Sequence, residues 1–121
     1  MDTLLLLELT DNLTEALAQL EQAKDDTLAT LDAIDAVNEA LIALGGESVE
    51  AIVTDYTALL KQIVNDEINL FESKEKMQDL EFAVNALNNE DVDEDTKSLI
   101  MEALRNATRQ IAVARNFVVL D

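Results

Sequence analysis

The chain has no cysteine, no histidine, no proline and no tryptophan, only two glycines, and only 3% aromatic residues in 121. Each absence removes something. Without cysteine there can be no disulfide and no thiolate metal site, and redox logic says nothing about compartment. Without histidine or cysteine there is no common general base near neutral pH and no Ser-His or Cys-His nucleophile pair. The di-iron site of helical bundles requires a Glu-x-x-His element and is excluded too. Three phenylalanines and one tyrosine give little wall material for a carbohydrate or nucleotide cleft. The residues therefore predict a protein that is not an enzyme and holds no cofactor. Basic residues are also scarce, eight against 26 acids, for a net charge of -18. Such a chain would repel nucleic-acid phosphates, so direct nucleic-acid binding is not expected.

Long hydrophobic runs are missing as well. Purely apolar stretches such as Leu4–Leu7, Leu41–Leu44 and Phe117–Leu120 are far short of the roughly 20 residues that a membrane span needs. The start, Met1 and Asp2, carries an acid where a signal peptide would carry a basic region. A soluble protein, cytoplasmic or enclosed in a viral particle, is the expectation. The sequons Asn12–Thr14 and Asn106–Thr108 then have no secretion signal behind them.

What is present is aliphatic. Hydrophobic residues make up 49% of the chain, enough for one helical core and one domain over 1–121. With no proline and a single Gly-Gly pair, the chain predicts few, long helices. The clearest periodicity lies between Ser48 and Asn88. Counting in sevens gives Val49, Tyr56, Ile63, Leu70, Met77 and Val84, with companions Ile52, Leu59, Asp66, Ser73, Leu80 and Leu87. Spacing of this 3,4 kind signals a helix with a coiled-coil-like seam, roughly 60 Å long at 1.5 Å per residue.

In front of it, Leu6, Leu9, Leu13, Leu17 and Leu20 repeat at helical spacing, and the pattern resumes in phase at Leu31, Ile34 and Leu41. One helix over 3–44 is the favoured reading, with Asp2 or Thr3 as cap; Asp26 would cap a second helix if the chain breaks at 24–27. A strand over 3–9 followed by a capping box from Asn12 to Glu15 is the minor alternative. Gly45-Gly46 is the clear stop, and Ser48 is the expected cap of the next helix. The last helix should run over 95–120 with Ile100, Leu104, Ala107, Ile111, Ala114 and Val118 on one face. Its arginines, Arg105, Arg109 and Arg115, should lie against carboxylates of the earlier helices.

The fold expectation is all-α: a long antiparallel hairpin, 3–44 and 48–88, plus a third helix, with a compact four- or five-helix bundle as the alternative. In the hairpin, Lys24 falls level with Asp66 and Glu67, and a polar pair there would fix register; two solvent-facing kinks are the plainer reading. The third helix is too short to cover the whole hairpin, which would leave Leu41, Leu44, Val49, Ile52 and Val53 as an interaction face.

The sharpest local motif is Asp91, Asp93, Asp95 and, further on, Glu102. These occupy positions 1, 3, 5 and 12 of a twelve-residue loop, so the segment resembles an EF-hand calcium loop. It departs from one at Thr96, where the sharp turn needs glycine, and at Ser98, where an apolar residue is usual; no second loop is present. The plainer reading is an acidic helix cap.

As function, these features predict a non-catalytic structural or assembly protein working through apolar helix faces, by self-association or on a protein partner, as in a large assembly such as a phage particle. The alternatives are an acidic inhibitor that imitates nucleic acid, and a small assembly or export chaperone with a groove for a partner helix. Nine asparagines and few bases set the chain apart from an idealised designed bundle, the remaining option.

Overall fold

A computed structural model of the chain describes residues 3–24 and 26–114, and among these every regular element is a helix. They are α1 (Thr3–Ala23), α2 (Thr27–Gly45), α3 (Glu47–Val64), α4 (Leu70–Asn85) and α5 (Glu94–Ala114). Of the two arrangements open to the sequence, the chain takes the five-helix bundle. Residues 3–9 are helical, so the strand alternative fails.

Both long helices of the expected hairpin break. The first ends at Ala23, where Lys24 takes a left-handed φ of 50°, and α2 restarts with Asp26 as its cap, the carboxylate accepting from the Ala29 N–H at 3.1 Å. The second ends at Val64. Asp66 is left-handed (φ 59°), the Glu67 N–H bonds back to the Gln62 carbonyl at 2.8 Å, and Asn69 caps α4 through the Glu72 N–H at 2.7 Å. Short polar side chains that compete for backbone N–H groups make these stops; no glycine or proline is involved.

The glycine turn divides its work. Gly46 supplies the left-handed residue, φ 77°, and α3 begins at once with Glu47. Ser48 is therefore inside the first turn of α3 and is not its cap. Gly45 is the last residue of α2 and is buried; a Cβ there would collide with both Val49 methyl groups and approach Ile100 Cδ1 to 3.0 Å. The end of α2, the start of α3 and the start of α5 thus meet at one end of the bundle. α1 packs antiparallel on α2, with Asn12 and Glu15 beside Ala40 and Glu39, so its own start points toward that same end.

α5 packs against all four other helices, whereas α1 touches only α2 and α5, and α4 only α3 and α5. The core is aliphatic around Ile34, Leu41, Leu60, Ile63, Ile100 and Leu104, all essentially inaccessible. Burying one such side chain is worth about 1.5–3 kcal/mol, and the residues of α5 expected on one face, Ile100, Leu104, Ala107 and Ile111, are all buried. Val118 and Arg115 lie outside the described residues. No described helix is long and apolar enough to cross a membrane.

Candidate interaction surface

The interaction face expected at the hairpin tip is core. Leu41, Leu44, Val49 and Val53 are buried and Ile52 is half-buried, because helices shortened by the two breaks let α5 reach the tip and seal it. Lys24 does not join Asp66 or Glu67 in any ion pair among the described residues; all three are exposed, in two separate turns. The two polar gaps coincide because both are turns.

The EF-hand-like loop does not form either. α5 starts at Glu94, so Asp95 and Thr96, positions 5 and 6, are helical where a calcium loop would still be open, and Glu102 lies two turns into the helix. Asp93 serves as the helix cap: its Oδ1 accepts from the Thr96 N–H at 2.7 Å, and this bond, with a second from the Thr96 hydroxyl, holds its carboxyl below the usual range. Among the described residues no three acidic side chains come together in a way that could hold a metal ion.

Sequence reasoning missed Lys97. Its side chain is buried among the last turn of α4 and the following loop. The ammonium donates to the carbonyls of Leu87 and, at 3.4 Å, Asn85, to Asn89 Oδ1 at 2.8 Å, and pairs with Glu94 at 3.6 Å. Orphan carbonyls at a helix C-terminus want a cation, and Lys97 is that cation. The signal was visible: 97, 100, 104, 107 and 111 form a single helical stripe, and its first member is charged. Arg105 clips the same two helices with a two-pronged contact to Glu81, at 2.9 and 3.2 Å, which raises the Arg105 pKa. The expectation that an arginine of the last helix would face an earlier carboxylate holds here. Tyr56, on α3, meets the Thr108 hydroxyl at 3.4 Å; burial pushes its phenol up.

What remains on the outside is a set of large apolar side chains. On α1, Leu4 is 74% exposed and Leu7 57%, with Leu5 and Leu6 also exposed. Four successive helical residues point 100° apart and so cover every side. The start of α1, residues 3–8, is therefore exposed around the helix; Leu9 packs against the core and the first buried residue is Leu13. On α4, Phe71 is 85% and Phe82 70% exposed. Eleven residues are close to three turns, so both rings lie on one side of the helix. Isolated exposed leucines need no explanation, but clusters of this size on well-formed helices mark contact surfaces. A cleft of about 770 Å³ between the ends of α1 and α5, rimmed by Lys24 and Arg109, faces the opposite end of the bundle.

Both ends of the bundle are acidic. The end that holds the α1 leucines also exposes Glu47, Glu50, Glu90, Asp91, Asp93, Glu94 and Asp95, and its lysine, Lys97, is buried. The other end exposes Glu21, Asp26, Asp66, Glu67 and Glu72 beside Lys24 and Arg109, and Lys61 pairs with Asp35. No protein-family model, curated protein or solved structure matches this chain.

Proposed function

We propose that this is a non-catalytic structural or assembly protein that works through apolar helix faces, with the projecting Leu4–Leu7 turns of α1 as its principal contact. The observation that supports this is the contrast between a closed aliphatic core and four solvent-facing leucines on one well-formed helix. Fully covering three such side chains contributes on the order of 5 kcal/mol at about 1.5–3 kcal/mol each, enough to drive a specific contact after part of it is spent on lost freedom of motion. A place in a large natural particle fits this reading.

Sedimentation equilibrium tests it. The expected result is a reversible association that Leu4→Ser, Leu5→Ser and Leu7→Ser together weaken at least about tenfold, a loss of about 1.4 kcal/mol, while the helical circular dichroism stays unchanged. Identical behaviour of the parent and substituted chains would exclude self-assembly through this arm. The exposed carboxylates at both ends of the bundle favour a second reading, an inhibitor that imitates a phosphate backbone. Its signature is binding to a basic nucleic-acid enzyme that is lost steeply as salt rises.

A further inference from the structure

The seam of sevens from Val49 to Leu87 keeps its phase across a break. In α3 its buried members are Val49, Tyr56, Leu59 and Ile63; in α4 they are Ser73, Met77 and Val84. Two helices joined by a reversing turn need no common phase, because each can rotate to bury its own stripe. One phase through the turn is what a continuous helix requires. The intervening residues, Asn65 to Asn69, contain no glycine or proline, and Asp66 sits in the left-handed region, which glycine tolerates far better. The α4–α5 segment is clipped to itself, by Lys97 on the α4 carbonyls and by Arg105 on Glu81, so it can move as one body. At the start of α4, Phe71 is 85% exposed.

We propose that two copies of the chain exchange their α4–α5 hairpins through the 65–69 turn, α3 and α4 becoming one helix over 47–85. The inference rests on the reading of the chain as an assembly protein and names the partner as a second copy. Every contact that α5 makes with α1, α2 and α3 is kept, now between chains, so the core gives no preference between the closed and exchanged forms. The difference lies at the turn. Exchange releases Asp66 from its left-handed conformation, extends the helix, and brings Phe71 of one chain to the crossing point with the other. Cost enters through lost freedom of two chains and through Asp66 and Glu67 of both copies meeting there, which salt screens.

The absence of cysteine makes the test direct. Asp55 of α3 and Asp79 of α4 line one narrow cleft. A chain carrying Asp55→Cys and another carrying Asp79→Cys are mixed, unfolded, refolded together at high concentration in about 1 M salt, where the Debye length is about 3 Å, and then oxidised. Exchange places residue 55 of one chain beside residue 79 of the other, and the expected product is the mixed disulfide, about tenfold over the like-like pairs. Asp66→Ala, which favours the helix, should raise its yield. Asp66→Gly, which favours the turn and disfavours the helix in both copies, should lower it about tenfold. Phe71→Ser should lower it without moving the monomer's melting temperature. Refolded chains that give no mixed disulfide, mixed and like-like pairs in equal yield, or a yield indifferent to residue 66 would each overturn exchange. Loss of association with the leucine substitutions and no 55–79 link would keep the assembly reading and remove exchange. A 55–79 link that survives the leucine substitutions would keep exchange and remove the arm as the contact.

Discussion

The two ends of this bundle are built by different chemistry. At one, where α2 passes to α3 and α4 to α5, the turns are over-determined: Gly45 admits Val49 at a distance no side chain would permit and lets Ile100 approach closely, Gly46 supplies a left-handed residue, and a buried ammonium holds the last carbonyl of α4 and the loop beyond it. At the other, where α1 passes to α2 and α3 to α4, the turns rest on exposed polar caps and on Lys24 and Asp66 held at positive φ. The first end has few alternatives open to it. The second is a stop written into sequence that is otherwise able to continue as helix. A fold can thus be fixed at one end and left convertible at the other with no change in its core.

The largest effect that would break this contrast is at Lys97. Replacing it by methionine keeps the apolar stem and strands the carbonyls of Asn85 and Leu87. Hydrogen bonds to a charged donor are each worth about 1.5–3 kcal/mol, so Lys97→Met should cost about 3 kcal/mol in chemical unfolding. A loss under about 1 kcal/mol would show that water replaces the ammonium and that this end is less fixed than described. Next is Gly45→Ala. Helix propensity alone would make alanine the better residue by up to about 1 kcal/mol, but its Cβ meets a fully buried Val49, and overpacking of this kind costs about 1–3 kcal/mol. Net destabilisation is expected; a gain would mean that Val49 yields easily. At the other end the sign reverses. Asp66→Gly relieves a left-handed non-glycine residue and should stabilise the closed monomer by up to about 1 kcal/mol, measured by the shift in urea midpoint.

The same contrast explains what could be read from sequence. The all-helical class, the glycine stop and the apolar stripe of α5 were legible because each is a matter of period or of one residue's special freedom. The break after Ala23 was legible as an alternative, with Asp26 as the cap it required, and the break after Val64 showed only as polar Asp66 in the seam; neither was favoured, since the apolar phase runs through both and the stopping residues are ordinary polar ones whose side chains compete for the backbone only in context. Favouring unbroken helices moved the interaction face: with unbroken helices, Leu41, Leu44, Val49 and Val53 would be bare, and with broken ones α5 covers them. A leucine run that covers all sides of a helix normally implies neighbours on all sides, yet Leu4 to Leu7 are exposed in the closed monomer, which is why the leucines carry the functional proposal. Lys97 had a visible signal, a charge on an apolar stripe, whose meaning depended on where the α4 carbonyls would lie.

The smallest effect tests whether the fixed end is also fixed by charge. Asp93 is fully exposed, yet its carboxyl is held below its ordinary value of 3.8, first by the Thr96 backbone N–H and then by the Thr96 hydroxyl. A depressed folded value means that the unfolded chain takes up the proton first. The cap therefore contributes fully above about pH 5 and loses its contribution as pH falls through the folded value. The background runs the other way, because protonating the other carboxylates of a chain with 26 acids relieves repulsion and raises stability. A melt of the parent chain alone cannot separate the two. The informative quantity is the melting temperature of the parent minus that of Asp93→Asn, which keeps a cap acceptor that does not titrate. This difference should be constant from about pH 7 to pH 5 and fall below about pH 4. A difference that is flat down to about pH 2 would mean that the cap works by its hydrogen-bond geometry alone, and that the acidic cluster at the start of α5 adds charge to this end of the bundle without stabilising it.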